Sequence, residues 1–570
     1  MYGHYQGEVI TMSPTASARP SFPISDHVVT TVERTIVPLG LPEDAESILP
    51  YEVEKYEQNG YGRWEYGPGV PYERRTDLLD PTKPNLPSSA STRLVRFFTI
   101  TDVHITDKQS PAQAILIGYR GGSPLAICAY SMVMPFTTHV LDAVVQTINA
   151  LHERDAFDFG IGLGDAANSS QFNELRWYID VLDGKLISPR SGDNEDAGSL
   201  PLVDYLQDFQ AGGLDPSIDW YQAIGNHDQF WMGVMPADDH LQEILAGTEI
   251  LDLGDFFTDP KGLESRGAYM GSLDCSTEIP TIIGVGPESA FSSPPQVASA
   301  DPRRHSMTKS EWISQFLDSP SSPQGHGFDT SAANETFASY SFLPNPDMPL
   351  KMIVLDDTES AKDEGVIGLG GYGNGSLDQK RLDWLVAELD AGQAANQLMI
   401  VAAHIPIGID APDGVKWWSK VSEVTEQALI DALHRCPNLI LWVTGHRHLN
   451  EVTVFESPDP SRPELGFFEV ETFSLRDFPQ EFRTFDVQAN GDSTVSVIAT
   501  CVDPAVQEGS LAARSRDFAV ASYQLFVTDP TDIHANGPYN VELVIPLSDE
   551  MATVLDALVP HVGAETPRMR

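Results

Sequence analysis

Five apolar runs in this chain each lead into acidic, amide or histidine residues, and no other feature constrains the fold as much. "RLVRFFTI" precedes Asp102-Val103-His104, "FDFGIGL" precedes Gly164-Asp165, and "IDWYQAI" precedes Gly225-Asn226-His227-Asp228. "NQLMIV" runs towards His404 in "VAAHIPIG", and "NLILWVT" leads into Gly445-His446-Arg447-His448. A short apolar run bounded by turn residues reads as a buried strand. Four of the five blocks carry Gly or Pro at or next to their polar residues, where the chain must turn sharply. Polar groups at the carboxyl ends of several such strands predict an α/β fold with its site along that edge.

The residue types narrow the chemistry. The blocks supply two Asp, one Asn and four His, with a further His beside the Asn. That is a ligand set for two adjacent metal ions. Two cations held roughly 3.5–4 Å apart can clamp a phosphoryl group and generate a hydroxide between them at neutral pH. A carboxylate suits the bridging position because its two oxygens neutralise both ions at once. Imidazole nitrogens favour transition metals over Mg or Ca, whose sites are mostly oxygen. The expected cofactors are therefore two divalent or trivalent transition-metal ions, with Mn, Fe and Zn as candidates. Residues two apart on an extended segment point to the same side, which accounts for the D-x-H and H-x-H spacings, although in a loop the two can diverge to separate ions.

The ordered series D-x-H, G-D, G-N-H-D, H and G-H-R-H, spread over residues 102 to 448, resembles the calcineurin-like metallophosphoesterase superfamily. A lone G-D occurs by chance in most chains of this length; the ordered set of five does not. "HITDKQSPA" (104–112), "DPRRHSMTKSEW" (301–312), "PQGHGF" (323–328) and "SLRDFPQEFR" (474–483) are further similar to a large bacterial subgroup of such enzymes. The resemblance implies that Asp102, His104 and His448 hold a first ion, that Asp165 bridges, and that Asn226, His404 and His446 complete a second. It places His227 beside the scissile phosphate, stabilising or protonating the leaving oxygen. Asp228 is then expected to orient His227.

The activity implied is hydrolysis of a phosphodiester through a hydroxide bridging the two ions. A phosphomonoesterase using the same site is the alternative, and a non-catalytic metal-binding scaffold is a third reading. The diester comes first because D-x-H with G-N-H-D is nearer to bacterial phosphodiesterases than to purple acid phosphatases, which have a Tyr ligand and a D-x-G start.

Composition removes other classes. The formal charge of −47, from 82 acidic against 35 basic residues, opposes binding to nucleic acid or anionic membrane. The expected partner is a small-molecule phosphoester; the sequence leaves the oligomeric state open. Cys128, Cys275, Cys436 and Cys501 are far apart and read as buried thiols. The N-terminus lacks the basic and apolar regions of a signal peptide, and no 18-residue apolar stretch suggests a membrane span. A cytoplasmic location is the expectation, with a removed leader left open.

The predicted fold is an αββα two-sheet sandwich with an N-terminal arm over 1–92, a core over 93–502 and a C-terminal tail over 503–570 packed on the core. The arm is expected to be irregular, with disorder in about its first 25 residues. "THVLDAVVQTINAL" places Val140, Val144, Ile148 and Leu151 at helical spacing. "SLDQKRLDWLVAEL" opens with an apparent Ser376–Gln379 capping box. Between Asp228 and His404 lie 175 residues, enough for a cap insertion over about 230–345. Within it, Arg303, Arg304 and His326 are candidates for substrate recognition, since guanidinium matches phosphate oxygens bidentately; a salt-bridged Arg and a surface His are the alternative. His139, His152, His240 and His434 read as structural. Asp356 and Asp357 end a strand where they can support the site, and Trp417-Trp418 either line the pocket or pack.

Overall fold

In the computed structural model the described residues are 28–80, 91–119, 129–192, 203–254, 266–359, 373–408, 417–527, 531–532 and 537–559. Cys128 and the first 25 residues lie outside them. The chain is mixed α/β, with a seven-stranded and a six-stranded sheet and smaller ribbons.

The strands of the two large sheets, in chain order, are β1 (Glu73–Arg75), β2 (Ser91–Ile100), β3 (Phe159–Gly162), β4 (Asp219–Gln222), β5 (Tyr340–Phe342), β6 (Leu350–Val354), β7 (Leu398–Ala402), β8 (Leu439–Thr444), β9 (Glu451–Phe455), β10 (Phe467–Glu471), β11 (Phe482–Asn490), β12 (Thr494–Val502) and β13 (Asn540–Pro546). The larger sheet runs β1-β13-β12-β11-β2-β3-β4, and the smaller runs β5-β6-β7-β8-β10-β9. β2, β3 and β4 are mutually parallel, as are β6, β7 and β8. Every residue of "LILWVT" in β8 is buried, the continuous apolar pattern of a parallel strand covered on both faces.

Successive residues of a strand face opposite ways, and β2 shows what that does. Phe97 stacks on Phe159 at 4.9 Å and on Phe485 at 4.8 Å. It shares one apolar cluster with Met352, Ile400, Leu441 and Val470 of the other sheet. Phe98 and Ile100 join a second cluster with two helices, α1 (Thr137–Arg154) and α2 (Phe172–Leu182). A third cluster sets Ile353, Met399, Val401 and Trp442 against α3 (Gln379–Ala394) and α4 (Glu426–Leu433). The N-cap of α3 is Asp378, which accepts from the Arg381 N–H at 2.7 Å; Ser376 is not part of the cap. Asp outranks no other capping residue by much, but it sits next to the first helical residue and Ser376 does not.

The arm and the tail are woven into the larger sheet. β1 comes from the arm and pairs in parallel with β13 from the tail, which in turn pairs with β12. Helix α5 (Leu511–Phe526) holds the arm through Gln524, whose Oε1 accepts from Gly62 N–H at 2.7 Å. The segment 230–345 divides in two. Trp231, Leu241, Leu245 and Met270 pack with Ala112 and Leu116, whereas Trp312, Phe316 and Phe328 enter the cluster beneath Phe98 and α2. The second half is drawn inward by the short helix Lys309–Leu317, which a Thr308–Glu311 capping box starts. No helix among the described residues is long and apolar enough to cross a membrane.

Candidate metal centre

All five sequence blocks lie just past the carboxyl ends of parallel strands: β2 leads to Asp102 and His104, β3 to Asp165, β4 to Asn226–Asp228, β7 to His404, and β8 to His446 and His448. The structure brings these side chains together. Asp102, His104 and His448 form one group and Asp165, His404 and His446 another, with candidate ligand atoms inside each group all within 4.8 Å of one another. A third such group is His104, Asp165 and His227.

Asp102 and Asp165 each divide their two oxygens between the protein and the site. Asp102 Oδ2 accepts from the His446 N–H at 2.9 Å and from the Thr101 hydroxyl at 2.6 Å. Its Oδ1 is buried without a hydrogen-bond partner and lies 3.3 Å from His448 Nε2. Asp165 Oδ1 accepts from the His227 N–H at 2.8 Å. Its Oδ2 stands between the groups, 3.7 Å from His104 Nε2 and 3.3 Å from His404 Nε2.

The nitrogens are oriented in the same manner. His404 Nδ1 faces the Leu163 carbonyl at 2.9 Å, so Nδ1–H donates there and Nε2 is presented to Asp165. Asn226 Nδ2 donates to Gly233 O at 3.0 Å, which fixes Oδ1 towards His404 Nε2 at 2.9 Å and His446 Nδ1 at 3.1 Å. His104 Nε2 and His448 Nε2 face each other at 3.2 Å. Where these atoms present bare lone pairs, they repel at such distances unless a proton or a metal cation lies among them. The donor set therefore fits two metal ions, with nitrogen and oxygen ligands of the kind that transition metals take.

The electrostatics agree. Burial opposes the charge on Asp102, yet His448 and His104 hold its carboxyl well below the usual range. Burial likewise opposes a proton on His404, and Asp165 and Asp102 overcome it, pushing the pKa up to about 10. The pocket thus demands positive charge at its centre. Burial pushes His446 and His227 down to about 3, so both are neutral at neutral pH.

Backbone strain marks the same residues. Asp102, His104, Asp165, His446 and His448 all have φ between 46° and 81°. Each non-glycine residue held there costs roughly 1–3 kcal/mol and persists only where its surroundings over-determine it, most often at functional sites. Close packing leaves no room for side chains around these turns. A Cβ on Gly225 would lie 2.2 Å from Asp165 Oδ1, and one on Gly233 (φ 71°) would lie 2.3 Å from both Asn226 Nδ2 and His227 Cδ2.

Several expected roles come out differently. His227 Nδ1 faces the carbonyl of Asn168, not Asp228. Asp228 accepts instead from the backbone N–H groups of Gly225 at 2.9 Å and Ala167 at 3.1 Å, tying two of the turns together. The three residues 303, 304 and 326 are engaged elsewhere. Arg304 is buried, its Nε 3.2 Å from Asp107 Oδ2 and 2.9 Å from Ser191 Oγ. Arg303 pairs with Asp301 at 2.6 Å. His326 stacks on Trp220 with centroids 3.5 Å apart and bonds its carbonyl through Nδ1. For both arginines the salt-bridged alternative describes the contacts, and buried Arg304 finds within the fold the carboxylate partner that a buried guanidinium needs; His326 is buried and not the surface residue of the alternative reading. His139, His152, His240 and His434 join no ligand group among the described residues.

Of the residues expected to support the site, Asp357 does so directly, and Glu174 joins it without having been signalled by the sequence. Asp357 accepts from the N–H groups of His404 at 3.3 Å and Ile405 at 3.0 Å, while Asp356 pairs with Lys309. Buried Glu174 accepts from the N–H groups of Asp107, Asn168 and Ser169. Trp417 stands perpendicular to His446 with centroids 5.0 Å apart, whereas Trp418 packs in the core.

No family model matches this chain, and no curated protein matches it. Among solved structures it is similar to a dimetal phosphatase from Danio rerio, at 12% identity and a TM-score of 0.38, covering 73% of this chain and 100% of that one. It is also similar to a protein provisionally described as a 5'-nucleotidase from Staphylococcus aureus, crystallised with alpha-ketoglutarate, at 11% identity and a TM-score of 0.27. That match covers 74% of this chain and 58% of the other. Likeness at this level decides nothing about activity, so the chemistry must follow from the residues.

Proposed function

We propose that this chain is a metal-dependent phosphoesterase that holds two transition-metal ions, Mn, Fe or Zn, and hydrolyses a small phosphodiester. Asp102, His104 and His448 would hold the first ion, Asn226, His404 and His446 the second, and Asp165 both. The observation that carries this reading is Asp165 Oδ2, lying within 3.7 Å of an imidazole nitrogen from each group while its other oxygen is used by the backbone. The two sheets and their covering helices fit the inner and outer layers of an αββα sandwich, and the insertion meets the site at Gly233, beside Asn226 and His227.

When bound, such a pair of ions supplies Lewis acidity, polarising phosphoryl oxygens and making water acidic enough to attack at neutral pH. The chain's own residues do the rest. Asp102 and Asp165 offset the ions' charge in a buried pocket. Asp357 and Asp228 fix the turns that carry His404 and Asn226, so the ligands need little reorganisation. His227 donates Nδ1–H to Asn168 O and keeps Nε2 for the substrate. Neutral when the pocket is empty, it gains a proton more readily once an anionic phosphoryl group lies beside it, and can then pass that proton to the leaving oxygen.

A phosphomonoester can use the same residues. The preference for a diester rests on the D-x-H and G-N-H-D pattern. Metal-reconstituted protein should be assayed with bis(p-nitrophenyl) phosphate and p-nitrophenyl phosphate side by side. Faster turnover of the diester supports the first reading, faster turnover of the monoester favours the second, and hydrolysis of neither with two ions bound leaves the scaffold.

A further inference from the structure

The segment following β10 crosses beneath three of the five ligand-bearing turns. The Leu475 N–H donates to the Thr101 carbonyl at 3.3 Å. Arg476 is fully buried, with Nη1 2.9 Å from Thr106 Oγ1 and 3.2 Å from Asn168 Oδ1. Asp477 meets His448 Nδ1 through Oδ2 in a short contact. Among the described residues this is the imidazole–carboxylate pair in which a side chain outside the five blocks holds a candidate ligand, a role that the sequence suggested for Asp228 on His227.

We infer that Asp477 is a positioning residue for the first ion: its carboxylate fixes the tautomer and ring direction of His448 and so sets the affinity of the Asp102–His104–His448 group alone. The inference rests on the metal-centre reading above. Its physical basis is the asymmetry of imidazole. With Nδ1–H given to Asp477, the lone pair can be only on Nε2, and Nε2 is the atom 3.3 Å from Asp102 Oδ1 and 3.2 Å from His104 Nε2. A carboxylate on the far nitrogen also makes the imidazole a better donor, and removing such a partner typically weakens metal binding about 10–100-fold. The second group receives its orientation from elsewhere, His404 from the Leu163 carbonyl and Asn226 from the Gly233 carbonyl. Among the described residues, Asp477 makes its side-chain pair with His448 and no hydrogen bond to the second group. The expected effect is therefore confined to one site.

The test is a titration of metal-free full-length protein with Zn2+ and, separately, Mn2+, following both binding steps by calorimetry and counting ions after gel filtration. Asp477→Asn keeps an oxygen that can accept from Nδ1–H but loses the charge; Asp477→Ala loses both. One step should weaken about tenfold in Asp477→Asn and by up to about 100-fold in Asp477→Ala, with the other step unchanged. A purely structural role would instead lower both steps together, or only the apo protein's melting temperature, and either result overturns the inference, as does wild-type affinity at both sites in a folded variant. Should Asp477→Ala not fold, Asp477→Asn carries the same comparison. Wild-type protein that binds neither ion overturns the metal-centre reading itself, a failure distinct from two intact binding steps in the variants.

Discussion

His227 Nδ1 lies 2.6 Å from the carbonyl oxygen of Asn168, a main-chain acceptor in the turn that follows Asp165. The imidazole proposed to serve the leaving group is thus oriented by backbone, which leaves its Nε2 available for proton transfer. Replacing His227 by Ala should leave both ions in place and lower turnover by about 10²–10⁴-fold, the usual range for a lost general acid. The loss should shrink for p-nitrophenolate, which leaves without help, and grow for alkoxide leaving groups. Equal losses across a leaving-group series would assign His227 a purely electrostatic role.

Asp228 acts on a different part of the structure. Its carboxylate satisfies the N–H groups of Gly225 and Ala167, so Asp228→Ala strands two buried donors. Each such orphan costs about 1–3 kcal/mol. Denaturant unfolding should show a loss of that order, and the remaining folded protein should have the same leaving-group dependence as wild type. A changed leaving-group slope would return Asp228 to the proton-transfer machinery.

Metal removal should destabilise the fold. Five residues of the centre are held at positive φ, and ions bound among them would favour those turns. Ligand at about 100 times its dissociation constant adds about 2.7 kcal/mol per site to stability, so chelation should lower the melting temperature by several degrees, reversibly on adding Mn2+ or Zn2+. Asp165→Asn should bind less of both ions and show a smaller shift. A melting temperature indifferent to chelator, with fewer than two ions found at metal excess, would remove the two-ion reading.

Arg303 and Arg304, adjacent in sequence, should part company. Arg304→Ala leaves Asp107 buried without its charged partner, a change that typically costs about 3–5 kcal/mol. Arg303 is 51% exposed and its pair with Asp301 is of the solvent-screened kind, worth about 0–1 kcal/mol. Arg303→Ala should therefore be near wild type in stability, and neither variant should change KM once folded. A raised KM in Arg303→Ala would restore a substrate contact.

The sequence by itself was enough to place the strands and the polar residues at their ends. Apolar runs such as "LILWVT" could only be covered strands, and the Asp, Asn and His residues beyond them could be read because metal ligation needs few residue types at short local spacings. The turns were also signalled locally, by the glycines and prolines beside the polar residues, whereas the close approach of Asp165 that leaves Gly225 no room for a Cβ is a tertiary contact. What only the tertiary structure decided is which partner each polar group finds. Asp228 is next to His227 in the chain yet serves the Gly225 and Ala167 amides, while Asp477, 29 residues from His448, meets its imidazole. Arg304 was open to both a phosphate contact and a salt bridge because its buried partner Asp107, 197 residues away, could not be seen. Strand periodicity is set by neighbours along the chain, so it survives in one dimension. The pairing of buried charges is set by which surfaces the packed sheets and helices bring within about 3 Å, and no local spacing encodes that distance.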